Sequence, residues 1–175
     1  MIDNNSRVKL FMKEIIPYVV VIVIFLLIRA FVFIPILVHG DSMSPTLEDK
    51  NFLILNKMDH KYDRFEIVVF DHAKQMLIKR VIGLPGETIE VKAGKLYING
   101  EEMDDPLAEI TYDFKLNDLG YTTIPEDTYF VMGDNRNNSI DSRKLGPISK
   151  DKIEGTLGFR LIPFKKVEDK YNKKN

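Results

Sequence analysis

The chain contains no cysteine. That excludes a disulfide framework, a thiol nucleophile and a zinc site built on thiolates. The lack of cysteine fits an exported domain without requiring one. Histidine is scarce: His39, His60 and His72 are the whole set, and their scatter gives no metal-ligand spacing. Neither sign of charge prevails. With 25 Lys and Arg against 26 Asp and Glu, the formal net charge is −1, so no global basic character points to nucleic acid. No internal repeat, low-complexity block or second long apolar run occurs. What is present is a globular composition, 45% hydrophobic and 29% charged over 175 residues, which allows one domain or one domain with a small lobe.

The N-terminal third is different in kind. Residues 1–14 are polar and carry Arg7, Lys9 and Lys13, and 15–28 then has no charge at all. Arg29 interrupts before 30–38 turns apolar again. About 20 apolar residues cross a bilayer core, and the run from 15 to 33 meets that length if Arg29 sits at the outer interface and snorkels. Pro17 is expected in the first helical turn, where its missing N–H costs little. Basic residues ahead of the span favour an N-inside orientation. The expectation is a cytoplasmic segment over 1–14, a transmembrane anchor over 15–34 and an extracytoplasmic domain over 35–175. A cleavable signal peptide is the alternative, but the apolar run is long for that role. Arg29-Ala30-Phe31-Val32-Phe33 then follows in place of a small-x-small cleavage site. A buried core helix is disfavoured because nothing polar alternates through 19–28.

From residue 35 the pattern is one of short strands and turns. Strands are expected at 52–56, at 65–70 and at 76–82, the last two paired about a turn at 71–75. A tight turn follows at 83–87. A hairpin is expected from 88–92 and 95–98 about Ala93-Gly94, with Asn99-Gly100 as the next turn. Residues 101–119 are acidic and weakly patterned, which reads as loop-rich. Strands close the domain at 128–132 and 156–162, ahead of a polar tail over 165–175 that reads as frayed. The coarse result is an antiparallel β domain on one membrane anchor.

Chemistry is sought first in 39–47, His-Gly-Asp-Ser-Met-Ser-Pro-Thr-Leu, directly after the apolar run. A serine hydroxyl needs a base within reach, and the three histidines are poorly placed to be one. A lysine serves if burial makes its ammonium costly and lowers its pKa towards neutrality. In 76–82, strand alternation puts Lys79 on one face with Leu77 and Val81. Periodicity alone leaves two readings, a snorkelling edge residue or a desolvated amine. A third polar cluster, 133–143, is either a solvated turn or a shell of short side chains that fixes other groups.

These three segments together resemble type I signal peptidases, the bacterial membrane serine proteases that remove signal peptides from exported proteins. The matching motifs are Ser42-Met43-Ser44-Pro45-Thr46, then Lys79-Arg80-Val81-Ile82-Gly83-Leu84-Pro85-Gly86, then Gly133-Asp134-Asn135-Arg136 with Ser139-Ile140-Asp141-Ser142-Arg143. Their order after a single N-inside span resembles the Gram-positive branch, over about 15–160. The resemblance implies Ser42 as nucleophile and Lys79 as general base. It implies Ser139 as the hydroxyl that orients the lysine amine, and Asp141 and Arg143 as a supporting pair. Met43 is expected to pack beneath Ser42, whose backbone N–H would be one oxyanion donor. Some relatives supply a second donor from a serine two residues before the nucleophile, where this chain has Gly40. The family's Asp in the last cluster is Asn137 here, and Phe65-Glu66 stands where many relatives have Gly-Asp.

The resemblance also implies a mainly β fold with an inserted β lobe near 88–125, and no metal or cofactor. The implied partners are secretory preproteins cut after Ala-x-Ala-like sites and the lipid bilayer, at the bacterial cell membrane. Ile36, Val38 and Ile78 align with the substrate pockets. Ser42 lies nine residues past Phe33, at most ~30 Å of extended chain, the height at which a membrane-held precursor would present its cleavage site. Three alternatives are weighed against this. A self-cleaving repressor-type Ser-Lys protease would be soluble. A penicillin-recognising enzyme needs Ser-x-x-Lys, which occurs as Ser6-Arg7-Val8-Lys9, ahead of the span. A non-catalytic membrane module that scaffolds export partners has no need of both Ser42 and Lys79.

Overall fold

The computed structural model describes residues 4–58, 61–107, 111–162 and 165–166; His60 and the tail beyond 166 lie outside them. The chain forms two compact units, Met1–Ile34 and Pro35–Asn175.

The first unit is one helix, α1, Asn4–Val32. It begins well before the apolar run, so Pro17 lies in the helix interior and not in the first turn as the sequence predicts. The reason is local. Residues 4–14 include Arg7, Lys9, Leu10, Met12 and Glu14, good helix formers that carry the helix upstream of the apolar stretch. Side chains are described over 11–26, and every large apolar one among them, from Ile15 at 37% to Tyr18 at 71%, is exposed. Among the described residues, no helix is long and apolar enough to cross a membrane.

The second unit is mainly antiparallel β, as the patterning predicts. Its principal sheet has eight strands: β1 (Phe33–Leu37), β2 (Phe52–Asn56), β3 (Ile67–His72), β4 (Gln75–Gly83), β9 (Thr128–Met132), β10 (Ile148–Ser149), β11 (Ile153–Ile162) and β12 (Lys165–Lys166). The spatial order is β1-β2-β11-β3-β4-β9-β10, with β12 against β11. A second sheet of order β7-β6-β5-β8 uses β5 (Ile89–Lys92), β6 (Lys95–Ile98), β7 (Glu101–Met103) and β8 (Phe114–Lys115). These four strands fall within the stretch expected as an inserted lobe. Their buried side chains, Ile89, Val91, Leu96 and Ile98, share one core with Ile82, Phe130 and Met132 of the large sheet.

Strand β4 shows how period-2 alternation builds the domain. Ile82 enters that shared core, while Val81 enters another with Val68, Phe70, Tyr129 and Val131. Its register sets Lys79 opposite Val68 of β3 and Arg80 opposite Met132 of β9. Both long cationic side chains are thereby held in the middle of a sheet.

Several elements escape the sequence reading: β7 and β8 lie in the stretch expected to be loop-rich, and β12 opens the tail expected to be frayed. Strand β1 continues the apolar run directly. The short helix α2 (Ser142–Leu145) is capped by the Asp141 side chain, which accepts from the Arg143 N–H. The two-residue β10 exists through its pairing with β9. Conversely, Phe65 is expected to open a strand but lies outside β3, which begins at Ile67; it stands at φ +69°, with its N–H donating to the Val81 carbonyl at 2.8 Å.

Candidate active site

Strand β4 carries Lys79 into the protein interior, where it is 2% exposed. Its Nζ lies 2.7 Å from Ser42 Oγ and also donates to the carbonyl of Ile78 at 2.8 Å. Burial lowers the amine's pKa from its ordinary value to about 8, against the opposing charges of Asp141 and Asp134, which raise it. Removing an ammonium from water disfavours its charged form. Here that effect outweighs two carboxylates that pull the other way. The snorkelling reading of Lys79 therefore does not hold.

Ser42 sits on the turn 41–47, half-buried, with Met43 at 1% exposure directly after it. The turn is closed by the Ser44 N–H donating to the Asp41 carbonyl at 2.9 Å and the Leu47 N–H to Met43 at 2.9 Å. The Ser44-Pro45 peptide is cis. The loop after β9 clamps this turn from the other side. The Asn135 N–H donates to the Ser42 carbonyl at 3.0 Å. Asn135 Nδ2 donates to the Asp41 carbonyl at 3.2 Å, and Asn138 Nδ2 reaches the Asp41 carboxylate at 3.1 Å. The cluster at 133–143 is thus a shell around Ser42, and the solvated-turn reading is set aside.

Gly133 makes the close approach possible. A Cβ built there would lie 2.3 Å from Ser139 Oγ and 2.5 Å from the Ser42 carbonyl oxygen. Its N–H donates to Asp141 Oδ2 at 3.0 Å. Asp141, fully buried, takes a forked pair of bonds from Arg143, Nε at 2.9 Å and Nη2 at 2.7 Å. Burial alone would raise the Asp141 carboxyl pKa. The Arg143 contacts and the Gly133 N–H together hold it below the ordinary value.

Two further buried ion pairs flank the site. Arg80 forks onto Asp134, Nε at 2.8 Å and Nη2 at 2.5 Å, and its Nη1 donates to the Phe65 carbonyl at 2.7 Å. Arg136 forks onto Asp105, Nη1 at 2.6 Å and Nη2 at 3.2 Å, and its Nε donates to the Gly133 carbonyl at 3.1 Å. The sequence reading placed Arg80, Gly133, Asp134 and Arg136 in its motifs without giving them individual roles, and it did not single out Asp105. A signal existed for Arg80, a charge centred in an apolar strand. None existed for Asp105, one carboxylate in an acidic stretch.

Of the residues singled out from sequence, Ser42, Lys79 and Ser139 line one cleft of about 270 Å³, together with Leu77, Asn137, Asn138, Ile140 and Lys144. Ser139 Oγ is buried without a hydrogen-bond partner. The bond from Ser139 to the lysine amine that the resemblance implies is not made; the amine bonds Ser42 Oγ and the Ile78 carbonyl. Asp141 and Arg143 form the implied pair. Gly40 has φ +83° with open space where a side chain would stand, and its N–H donates to Asp49 Oδ1 at 3.0 Å. Ile36, Val38 and Ile78 do not line this cleft. Val38 and Ile78 are buried, at 3% and 8% exposure. Among the described residues, no group of three or more His, Cys, Asp or Glu could hold a metal ion.

The Ser42 hydroxyl thus lies within reach of a buried amine whose pKa is lowered, and a serine hydroxyl needs a base within such reach to act as a nucleophile. The comparisons name the family. The model for "Signal peptidase, peptidase S26" matches residues 11–162. Signal peptidase I S of Bacillus subtilis (strain 168) is 40% identical over 177 residues, covering 94% of this chain and 96% of the relative. Signal peptidase I V of the same organism is 42% identical over 156 residues, covering 79% and 92%. The crystal structure of a signal peptidase I from Enterococcus faecalis V583 superposes with a TM-score of 0.52 at 40% identity, over 55% of this chain and 97% of that one. The chain belongs to the signal peptidase family, peptidase S26, and is a hydrolase of that family.

Proposed function

We propose that the chain is a membrane-anchored endopeptidase that cuts N-terminal signal peptides from exported preproteins after Ala-x-Ala-like sites, with Ser42 as nucleophile and Lys79 as general base. The observation that carries the reading is the 2.7 Å contact between Lys79 Nζ and Ser42 Oγ, made by a lysine only 2% exposed.

The chemistry follows from the two atoms. Neutral Lys79 accepts the Ser42 proton as Oγ attacks the scissile carbonyl carbon. The oxyanion that forms is stabilised by the Ser42 backbone N–H. Its collapse breaks the C–N bond, and the resulting ammonium returns the proton to the departing amine of the mature protein. The signal peptide is left as an ester on Ser42. Water, deprotonated by the same lysine, then attacks that ester and frees both the signal peptide carboxylate and Ser42. Asp141, held by Arg143, fixes the Gly133 backbone behind the nucleophile. Ser139, buried and unpartnered across the same cleft, is placed to receive the lysine amine when it turns from Ile78. Ile36, Val38 and Ile78 remain the residues proposed for substrate side chains by motif alignment. Leu77 and Ile140 add apolar surface in the cleft itself.

The anchor is supported by α1. Its apolar side chains over 11–26 are exposed on every side, a state that water penalises and lipid does not. The basic residues Arg7, Lys9 and Lys13 precede them, consistent with a cytoplasmic N-terminus.

The test is cleavage of a model precursor, in detergent, by the full chain and by Ser42→Ala and Lys79→Ala at matched folding. Wild type is expected to release a mature protein whose N-terminus follows Ala-x-Ala, and both variants are expected to be inert. A folded but inert wild type would favour a scaffold for export partners. An active Lys79→Ala would place the base elsewhere.

A further inference from the structure

A buried charge that no step of this chemistry touches lies between β7 and β8, outside all three motifs. Asp105 is 8% exposed and Arg136 is 2% exposed, and both side chains of the pair are at 0%. Arg136 is held three ways: by both oxygens of Asp105, by Thr111 Oγ1 at 3.0 Å, and through its own Nε on the Gly133 carbonyl. Asp105 in turn accepts from the Leu107 N–H at 2.9 Å, and Thr111 donates to the Leu107 carbonyl at 2.9 Å. The segment after β7 is therefore a fixed abutment. Gly133, which Arg136 grips, is the residue whose backbone packs against the Ser42 carbonyl and the Ser139 side chain. The contacts run Asp105, Arg136, Gly133, Ser42, with no gap wider than a hydrogen bond or a van der Waals contact.

We propose that Asp105 is a positioning residue for the peptidase reaction: acting through Arg136, it presses the loop after β9 onto Ser42, which keeps the Ser42–Lys79 contact short. The inference rests on the dyad reading above and goes beyond it. It gives the second sheet's connecting segment a role in the chemistry of the first. Breaking one partner of a buried pair leaves the other charge uncompensated, so the loop is expected to shift to let water reach Arg136. A loop that shifts also widens the cleft that its residues 137–140 share with Lys79, which admits more water to the amine. The charges facing Lys79 are Asp141 and Asp134, each already paired, to Arg143 and Arg80, with Lys144 on the cleft rim. Hydration of the amine then moves its pKa up towards the value of a free lysine.

The experiment compares the pH profiles of kcat and KM for the full chain, Asp105→Asn and Thr111→Val, on one precursor in detergent. Thr111→Val removes one bond to Arg136 and the bond to the Leu107 carbonyl but keeps the ion pair, so it guards against simple loss of folding. Asp105→Asn is expected to lower kcat at pH 8 by roughly 100-fold, the scale of a misplacement of about 1 Å. KM should stay within about twofold of wild type, as expected when only positioning is lost. The acid limb should move to higher pH, so that part of the activity returns by pH 10. Thr111→Val should move the limb in the same direction by less. A merely structural role would reduce activity equally at all pH values. If the limb stays in place in both variants, or if Asp105→Asn is as active as wild type, the inference is wrong. The dyad reading survives that outcome unless Lys79→Ala is itself active.

Discussion

Gly133 is the residue on which the site's spacing depends most. Its missing Cβ leaves room for the Ser42 carbonyl oxygen, a backbone atom that cannot swing aside, at a distance of 2.5 Å from where that carbon would be. Gly133→Ala is therefore expected to separate the loop after β9 from the nucleophile turn. The core beneath it, from Phe130 to Met132, is left intact. Activity should fall by about 100-fold or more, with far-UV circular dichroism unchanged. Full activity in that variant would mean that the contact between the two loops has no part in the reaction. Lys79 carries the complementary lesson. Its alternation with Leu77 and Val81 was legible in the sequence, but alternation alone could not separate a snorkelling lysine from a desolvated one. What decides is tertiary: β4 is an inner strand paired with β3 and β9, and Lys79 reaches the turn that carries Ser42, neither of which is visible along the chain.

At the scale of elements, strands with their own pattern were readable and those made by their partners were not. Phe52–Asn56 and Thr128–Met132 stand where apolar and β-branched residues cluster, and the hairpin of β5 and β6 turns on Ala93-Gly94. β10 is two residues held by β9, and α2 is one turn held by its Asp141 cap; neither has a periodicity to read. The ion pair of Asp105 with Arg136 was equally silent, because the two residues are distant in sequence and Asp105 sits in a stretch without pattern. β11 gives a test of the scaffold. It lies between β2 and β3 and is bulged near Gly155. Gly155 has φ +152°, and a Cβ there would lie 2.1 Å from the Asn56 carbonyl oxygen. Gly155→Ala should destabilise the domain by about 3 kcal/mol, within the range for strained backbone combined with overpacking. Thermal unfolding would show this as a lower midpoint. An unchanged midpoint would mean that β11 and β2 part more easily than their pairing implies.

At the scale of the whole molecule, the two units have opposite relations to solvent. Pro35–Asn175 buries its apolar side chains in cores shared by paired sheets. α1 displays its apolar side chains from Phe11 to Leu26. A chain with such a helix is expected to stay with lipid vesicles through an alkaline carbonate wash, and its release by that wash would contradict the proposed anchor.

The measurement that bears most directly on the proposed mechanism is the pH dependence of kcat/KM for the wild-type chain on a precursor. The base must be neutral to take the Ser42 proton, and burial holds the Lys79 pKa at about 8. Below that value the amine is an ammonium and the reaction stops; above it the amine is free and the rate levels off. The expected profile rises tenfold per pH unit through the acid range and bends near pH 8. A rate that stays flat down to pH 5 would show that no group with the titration of Lys79 acts as the base.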